Sequence, residues 1–142
     1  MAPVSPAEAA ALARAALGLD DDVRAESHSV RRLDRGGTYW LALFGEPAAT
    51  VAVAAVDAAS GEVLASARLP GRAPQLAVSA ERARALAGAP ATARVELAWR
   101  HSPASRSPLA PFWEVEGAAD RAWVDVTGRV WQAPPWEAES RG

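Results

Sequence analysis

The feature that most constrains the fold is an order of local signals that occurs twice along the chain. The signals are a Val-Ser pair before an alanine-rich run, an aromatic pair that opens an apolar run, and a Val-Asp pair before a Ser-Gly or Thr-Gly turn. They occur at Val4-Ser5, Tyr39-Trp40 and Val56-Asp57 in the first half, and at Val78-Ser79, Phe112-Trp113 and Val124-Asp125 in the second. Three landmarks in the same order at similar spacing predict an internal duplication.

Each alanine-rich run has the start signal of a helix. Ser5 is a good N-cap, Pro6 fits the first helical position, Glu8 completes a capping box, and Gly18 suits the left-handed position after the last turn. These residues predict a helix from Pro6 to about Leu17. In the second half, Ser79 as N-cap predicts a short helix over about 80–87.

The segments after the helices have the pattern of antiparallel strands. Apolar residues alternate with polar ones from Ala93 to Trp99, which is the period of a strand with one buried face. Turns as short as Asp34-Arg35-Gly36-Gly37 join antiparallel neighbours. We therefore expect an α+β fold of two helix-plus-antiparallel-sheet units, at residues 1–70 and 71–136, with a tail at 137–142.

The Val-Asp landmarks are interpreted first as turns. Asp57 and Asp125 can accept hydrogen bonds from backbone N–H groups across the turn, and Gly61 and Gly128 can adopt a positive φ without a Cβ clash. A ligand-binding role for either aspartate is the less favoured interpretation, since each turn supplies only one carboxylate.

The combination of helix, antiparallel strands and these turns resembles the PepSY domain. The resemblance rests on Tyr39-Trp40 and the segment 56–64 in the first half, and on Phe112-Trp113 and the segment 124–131 in the second. It implies a cystatin-like unit with a helix packed on a sheet. In that family such units occur in propeptides of thermolysin-like peptidases, so the resemblance implies a peptidase inhibitor or a chaperone-like partner.

Composition excludes several classes of function. The chain has 142 residues, a net charge of -2 and no cysteine. A basic nucleic-acid binder, a disulfide scaffold and any Cys-ligated metal site are therefore not expected. The apolar stretch Ala48 to Val56 is about half the roughly 20 residues that cross a bilayer. With no signal peptide in residues 1–19, we expect a cytoplasmic protein that contacts no membrane.

No motif marks a catalytic, cofactor or metal site. The two histidines, His28 and His101, lack a second ligand at helical or hairpin spacing. A nucleophile elbow, a Walker loop and a dinucleotide-binding glycine motif do not occur in the sequence. We therefore expect a protein that is not an enzyme and binds no metal or cofactor; the alternative is a small-molecule enzyme with an unmarked pocket.

Tryptophan is unusually frequent, with six residues. On the last two strands Trp123 and Trp131 alternate away from Val124 and Val130, which predicts that both lie on the outer face. The expected partner contact comprises these tryptophans and the charged residues around them: Trp123, Trp131, Arg121, Asp125 and Arg129. The alternative is that Pro134-Pro135-Trp136, the other repeat or a symmetry partner covers the two rings.

These observations favour a non-enzymatic binding or interaction module. The expected partner is a protein, either a peptidase or a second copy of the chain, and not a nucleic acid. The peptidase inhibitor rests on the family resemblance, and the small-molecule enzyme on a pocket that no motif marks.

Overall fold

The computed structural model describes residues 3–117 and 120–139. Contacts within the chain divide it into two compact units, the first ending at Gln75 and the second beginning at Leu76. The predicted boundary between residues 70 and 71 and the observed division lie in the same segment, between the fourth strand and the second helix. Of the tail predicted at 137–142, residues 140–142 lie outside the described residues.

The first unit is an antiparallel meander with one helix. Its elements are α1 (Pro6–Leu17), β1 (Ala25–Arg32), β2 (Thr38–Glu46), β3 (Ala49–Asp57) and β4 (Val63–Arg68). The strands follow the order β4-β3-β2-β1, and each neighbouring pair is antiparallel. Successive strands are neighbours because each connection is too short to cross the sheet.

The predicted helix from Pro6 to Leu17 is confirmed, together with its caps. The Ser5 hydroxyl accepts from the Glu8 backbone N at 3.1 Å, and the Glu8 carboxylate accepts from the Ser5 backbone N at 3.3 Å. Gly18 ends the helix at a φ of 65°. Local residues therefore form the caps at both ends of α1.

The β-strands of the first unit bury apolar residues on both faces. Ala9, Ala13 and Leu17 of α1 pack on the face that carries Phe44 and Val56. Small alanines allow the helix backbone to lie close to the strands. The other face carries Tyr39, Leu41 and Val53, which are fully buried.

The second unit repeats the order of one helix and then strands, and it ends in a further short helix. Its elements are α2 (Ala80–Leu86), β5 (Arg94–Trp99), β6 (Phe112–Glu116), β7 (Arg121–Val124), β8 (Val130–Trp131) and α3 (Pro135–Glu139). The strands follow the order β5-β6-β7-β8 in antiparallel pairs. The helix predicted after Ser79 is confirmed, and its Ala83 packs with Val115 and Val124.

A tryptophan ties the start of the helix to a strand in each unit. In the first, the Trp40 indole Nε1 donates to the carbonyl of Val4 at 2.8 Å. In the second, the Trp113 Nε1 donates to the carbonyl of Val78 at 2.7 Å. Each bond satisfies a backbone acceptor just before a helix and sets the direction in which the chain enters it.

The expected fold class, two helix-plus-antiparallel-sheet units, is wrong. The described residues are mostly sheet: eight strands form the two antiparallel runs given above, and three short helices hold 17% of the residues. The physical reason lies in the helices, since α2 has a single buried residue, Ala83. Strand residues buried on both faces, rather than helix-on-sheet packing, supply most of the core.

The two tryptophan bonds generate a prediction for stability. We expect Trp40→Phe to lower the free energy of unfolding by about 1–2 kcal/mol, because phenylalanine keeps most of the apolar contact but loses the donor for the Val4 carbonyl. Trp113→Phe is the matched change in the second unit and should cost a similar amount. Urea denaturation followed by circular dichroism measures both. A variant as stable as the parent would show that the indole bond contributes nothing.

Candidate functional site

Asp125 organises the hairpin between β7 and β8. Its Oδ1 accepts from the Thr127 backbone N at 2.9 Å, the Thr127 hydroxyl at 2.5 Å and the Arg129 backbone N at 3.1 Å. Its Oδ2 accepts from the Trp131 indole Nε1 at 3.1 Å. The side chain is buried, so these four donors replace the water that a carboxylate would otherwise need. The turn predicted at Asp125 is confirmed.

Asp57 forms a similar turn between β3 and β4. Its Oδ2 accepts from the backbone N of Ala59 at 3.2 Å, from the backbone N of Ser60 at 2.7 Å and from the Ser60 hydroxyl at 2.8 Å. The hydrogen bond from the Ser60 backbone is the largest cause that holds the pKa of this carboxyl below its ordinary value. Gly61 follows at a φ of 77°, which confirms the turn predicted here.

Trp131 is held from its edge and from its face. The carboxylate of Asp125 binds the indole N–H, and the guanidinium carbon of Arg129 lies 4.0 Å from the ring centroid. Trp131 is half-buried and Arg129 is exposed. The face of a tryptophan ring carries negative electrostatic potential, so it attracts a cation at this distance. The structure thus brings three of the predicted contact residues, Asp125, Arg129 and Trp131, into one arrangement.

Trp123 is paired with Trp131 across the hairpin, but it is not exposed. The Cα atoms of the two residues are partners in the β7–β8 ladder, and Trp123 has a relative exposure of 4%. Its Nε1 donates to the Glu114 Oε2 at 3.1 Å. Trp123 thus lies on the face opposite Val124, as alternation predicts, but it is covered: the Trp136 ring lies against it, and Glu114 supplies the acceptor that lets the indole be buried.

The C-terminal segment covers this part of the sheet. The Trp136 ring meets that of Trp123 edge-on at a centroid distance of 5.7 Å and stacks on Phe112 at 6.2 Å. The Arg100 guanidinium lies 5.5 Å from the Trp136 centroid. Coverage by Pro134-Pro135-Trp136 was one of the alternatives open from the sequence, and it is the observed arrangement for Trp123. We call the three strand rings of Phe112, Trp123 and Trp131 the aromatic face; the Trp136 ring lies against the first two.

Arg121 lies away from the rings. Its guanidinium is 3.4 Å from the Glu116 carboxylate, and both side chains are about half exposed, so the pair contributes little to stability. The residue also borders a cavity of about 220 Å³ whose walls include Ala87, Pro90 and Val115. Of the predicted contact residues, Arg121 is thus the one for which the structure gives no interaction with the aromatic face.

Sequence reasoning missed the contributions of Arg100 and Glu114. Glu114 alternates with buried residues on its strand, a pattern that usually places a carboxylate in solvent. Only the register that makes Glu114 the partner of Trp123 shows that it accepts the indole bond. Arg100 follows β5 and carries no local signal that would link it to a ring at position 136.

The described residues contain no cluster of three or more His, Asp or Glu side chains that could hold a metal ion. His28 lies 3.5 Å from the Glu26 carboxylate. Within residues 3–117 and 120–139, no helix is both long enough and apolar enough to cross a membrane.

Compared with known proteins, the chain matches no protein-family model, no curated protein and no solved structure. The resemblance to the PepSY domain and the internal duplication therefore stay predictions.

The two aspartate turns differ in burial, which generates a prediction. Asp125→Ala leaves part-buried donors at Thr127, Arg129 and Trp131 without the buried carboxylate that accepts from them, so we expect a loss of about 3 kcal/mol in the free energy of unfolding. Asp57→Ala exposes its donors to water and should cost about 1 kcal/mol. Chemical denaturation of both variants measures the difference. Equal losses would mean that burial of the Asp125 carboxylate does not decide its contribution.

Asp57 also predicts a dependence of stability on pH. Its pKa is lowered by folding from an ordinary value of 3.8, so its contribution is present above that value and is lost as pH falls through the folded-state pKa. The stability difference between the parent and Asp57→Asn should be constant above about pH 5 and should shrink toward pH 2. Urea midpoints across this range test it. A difference that grows on acidification would contradict the assignment.

Proposed function

We propose that the protein is a non-enzymatic interaction module that binds another protein through the aromatic face. One observation carries the proposal: two half-buried tryptophans each have an exposed arginine over the ring. The distances from guanidinium carbon to ring centroid are 4.0 Å for Arg129 on Trp131 and 5.5 Å for Arg100 on Trp136. Tryptophan and arginine are the residue types that most often dominate the energy of protein interfaces.

The surroundings of Trp131 suit a contact residue. Its ring is only half-buried, so apolar area is still available to a partner. The bond to the buried Asp125 holds the indole in one orientation before any partner arrives. A side chain that is already ordered loses less conformational entropy on binding.

The proposed partner is a protein, either a peptidase or a second copy of the chain. The resemblance to the PepSY domain favours the peptidase, and the mixed charges around the face suit a second copy. The proposed compartment is the cytoplasm, which agrees with a chain that has no cysteine to be oxidised. The net charge of -2 supports a protein partner over a nucleic acid.

A site-specific photo-cross-linker tests the proposal in the expressing cell. The cross-linking amino acid replaces Arg129 in one variant and Arg35 in a control variant; both arginines are exposed, and Arg35 lies in the first unit. We expect a discrete cross-linked species from position 129 and not from position 35, with the partner identified by mass spectrometry. Equal products at the two positions, or none at either, would overturn the proposal.

Trp131→Ala supplies the matching loss-of-function prediction. Removal of the ring should weaken association with the cross-linked partner by at least about 2 kcal/mol, roughly 30-fold, as for an interface hot spot. Sedimentation velocity measures this for a second copy, and titration calorimetry measures it for another protein. Circular dichroism must show the parent spectrum. Unchanged association in the folded variant would show that Trp131 is not part of the contact.

A further inference from the structure

The C-terminal segment lies on the aromatic face as a bound peptide would. Pro135 is fully buried. The Trp136 ring contacts Trp123 edge-on and stacks on Phe112. The backbone N of Glu137 donates to the Pro134 carbonyl at 3.0 Å, so the segment forms its own turn. The side chains of Pro135 and Trp136 hold this segment on the sheet. The hydrogen bond from Glu137 to Pro134 lies within the segment itself.

The receiving surface is built from strand residues. Phe112 belongs to β6 and Trp123 to β7, and the Trp123 indole is oriented by its bond to Glu114. Strand side chains held by ladder pairing and hydrogen bonds keep their positions better than loop side chains do. The ladder pairs and the indole bond that hold this surface do not involve the segment that lies on it.

Charge adds to the selectivity of this surface. Arg100 lies over the Trp136 ring, and Arg129 lies over the neighbouring Trp131 ring. The resident segment continues from Trp136 to an acidic residue, Glu137. Two exposed guanidinium groups favour a ligand whose tryptophan is accompanied by a carboxylate.

We propose that the aromatic face binds, in trans, a peptide segment in which proline precedes tryptophan and an acidic residue follows it. The chain's own Pro135-Trp136-Glu137 occupies the face as a resident competitor. This inference rests on the proposed function and names the chemistry of the partner. Proline suits such a ligand because its fixed φ lowers the entropy lost on binding, and the ligand's tryptophan supplies the ring that lies between Phe112 and Trp123.

A resident segment has a measurable consequence for affinity. The apparent affinity for an external peptide falls in proportion to the fraction of molecules whose face is free. Trp136→Ala removes the resident anchor and leaves the strand residues of the face unchanged. This variant should therefore bind the external segment more tightly than the parent protein does.

The test uses a fluorescent synthetic peptide with the sequence of residues 132–139, titrated into the full-length chain and followed by anisotropy. Trp136→Ala should bind it at least about tenfold more tightly than the parent. A peptide with alanine in place of tryptophan is the ligand control, and Arg35→Ala is the protein control, expected to bind as the parent does. Failure of the folded Trp136→Ala variant to bind the peptide would overturn the inference.

A second measurement keeps the parent side chains and does not depend on the folding of that variant. The chain is labelled with fluorotryptophan, and the resonance of Trp136 is identified from Trp136→Phe. Unlabelled peptide should shift this resonance in a saturable way, because the resident ring is displaced into solvent. No shift at millimolar peptide would overturn the inference. If position 129 still cross-links to a partner in that case, the proposed function stands without this ligand class.

Discussion

The structure of the second unit depends on one buried carboxylate. Asp125 joins the Thr127 backbone and hydroxyl, the Arg129 backbone and the Trp131 indole through two oxygens. A carboxylate removed from water has to be surrounded by donors, and here those donors are the turn and the ring that follows it. The same group that closes the hairpin therefore also determines where Trp131 lies.

The aromatic face follows from that constraint and from the strand register. With β7 and β8 joined at this turn, Trp123 and Trp131 become direct cross-strand partners, and Glu114 on β6 becomes the partner of Trp123. Glu114 satisfies one indole and Asp125 satisfies the other. Both indole N–H groups therefore have a carboxylate acceptor. The ring of Trp123 contacts Trp136, and the ring of Trp131 contacts Arg129. This is the arrangement on which the proposed binding function rests.

The caps and turns could be predicted because their causes lie within a few residues. Ser5 with Glu8, Asp57 with Ser60, and Asp125 with Thr127 each bond to groups two or three positions away. The burial of Trp123 could not be predicted in this way. Alternation places it on the outer face of the strand, but its exposure depends on Trp136, which reaches it only after the chain has passed through β8.

The sequence by itself determined the helix at Pro6–Leu17, the start of α2 and the two aspartate turns, because short-range hydrogen bonds and backbone preferences decide such features. Tertiary structure alone decided that strands dominate the fold, that Glu114 accepts from a buried indole, and that Arg100 lies over Trp136. These contacts join residues that are adjacent only after the strands have paired. Local sequence preferences carry no information on such pairs, so the residues of the aromatic face could be identified only from the structure.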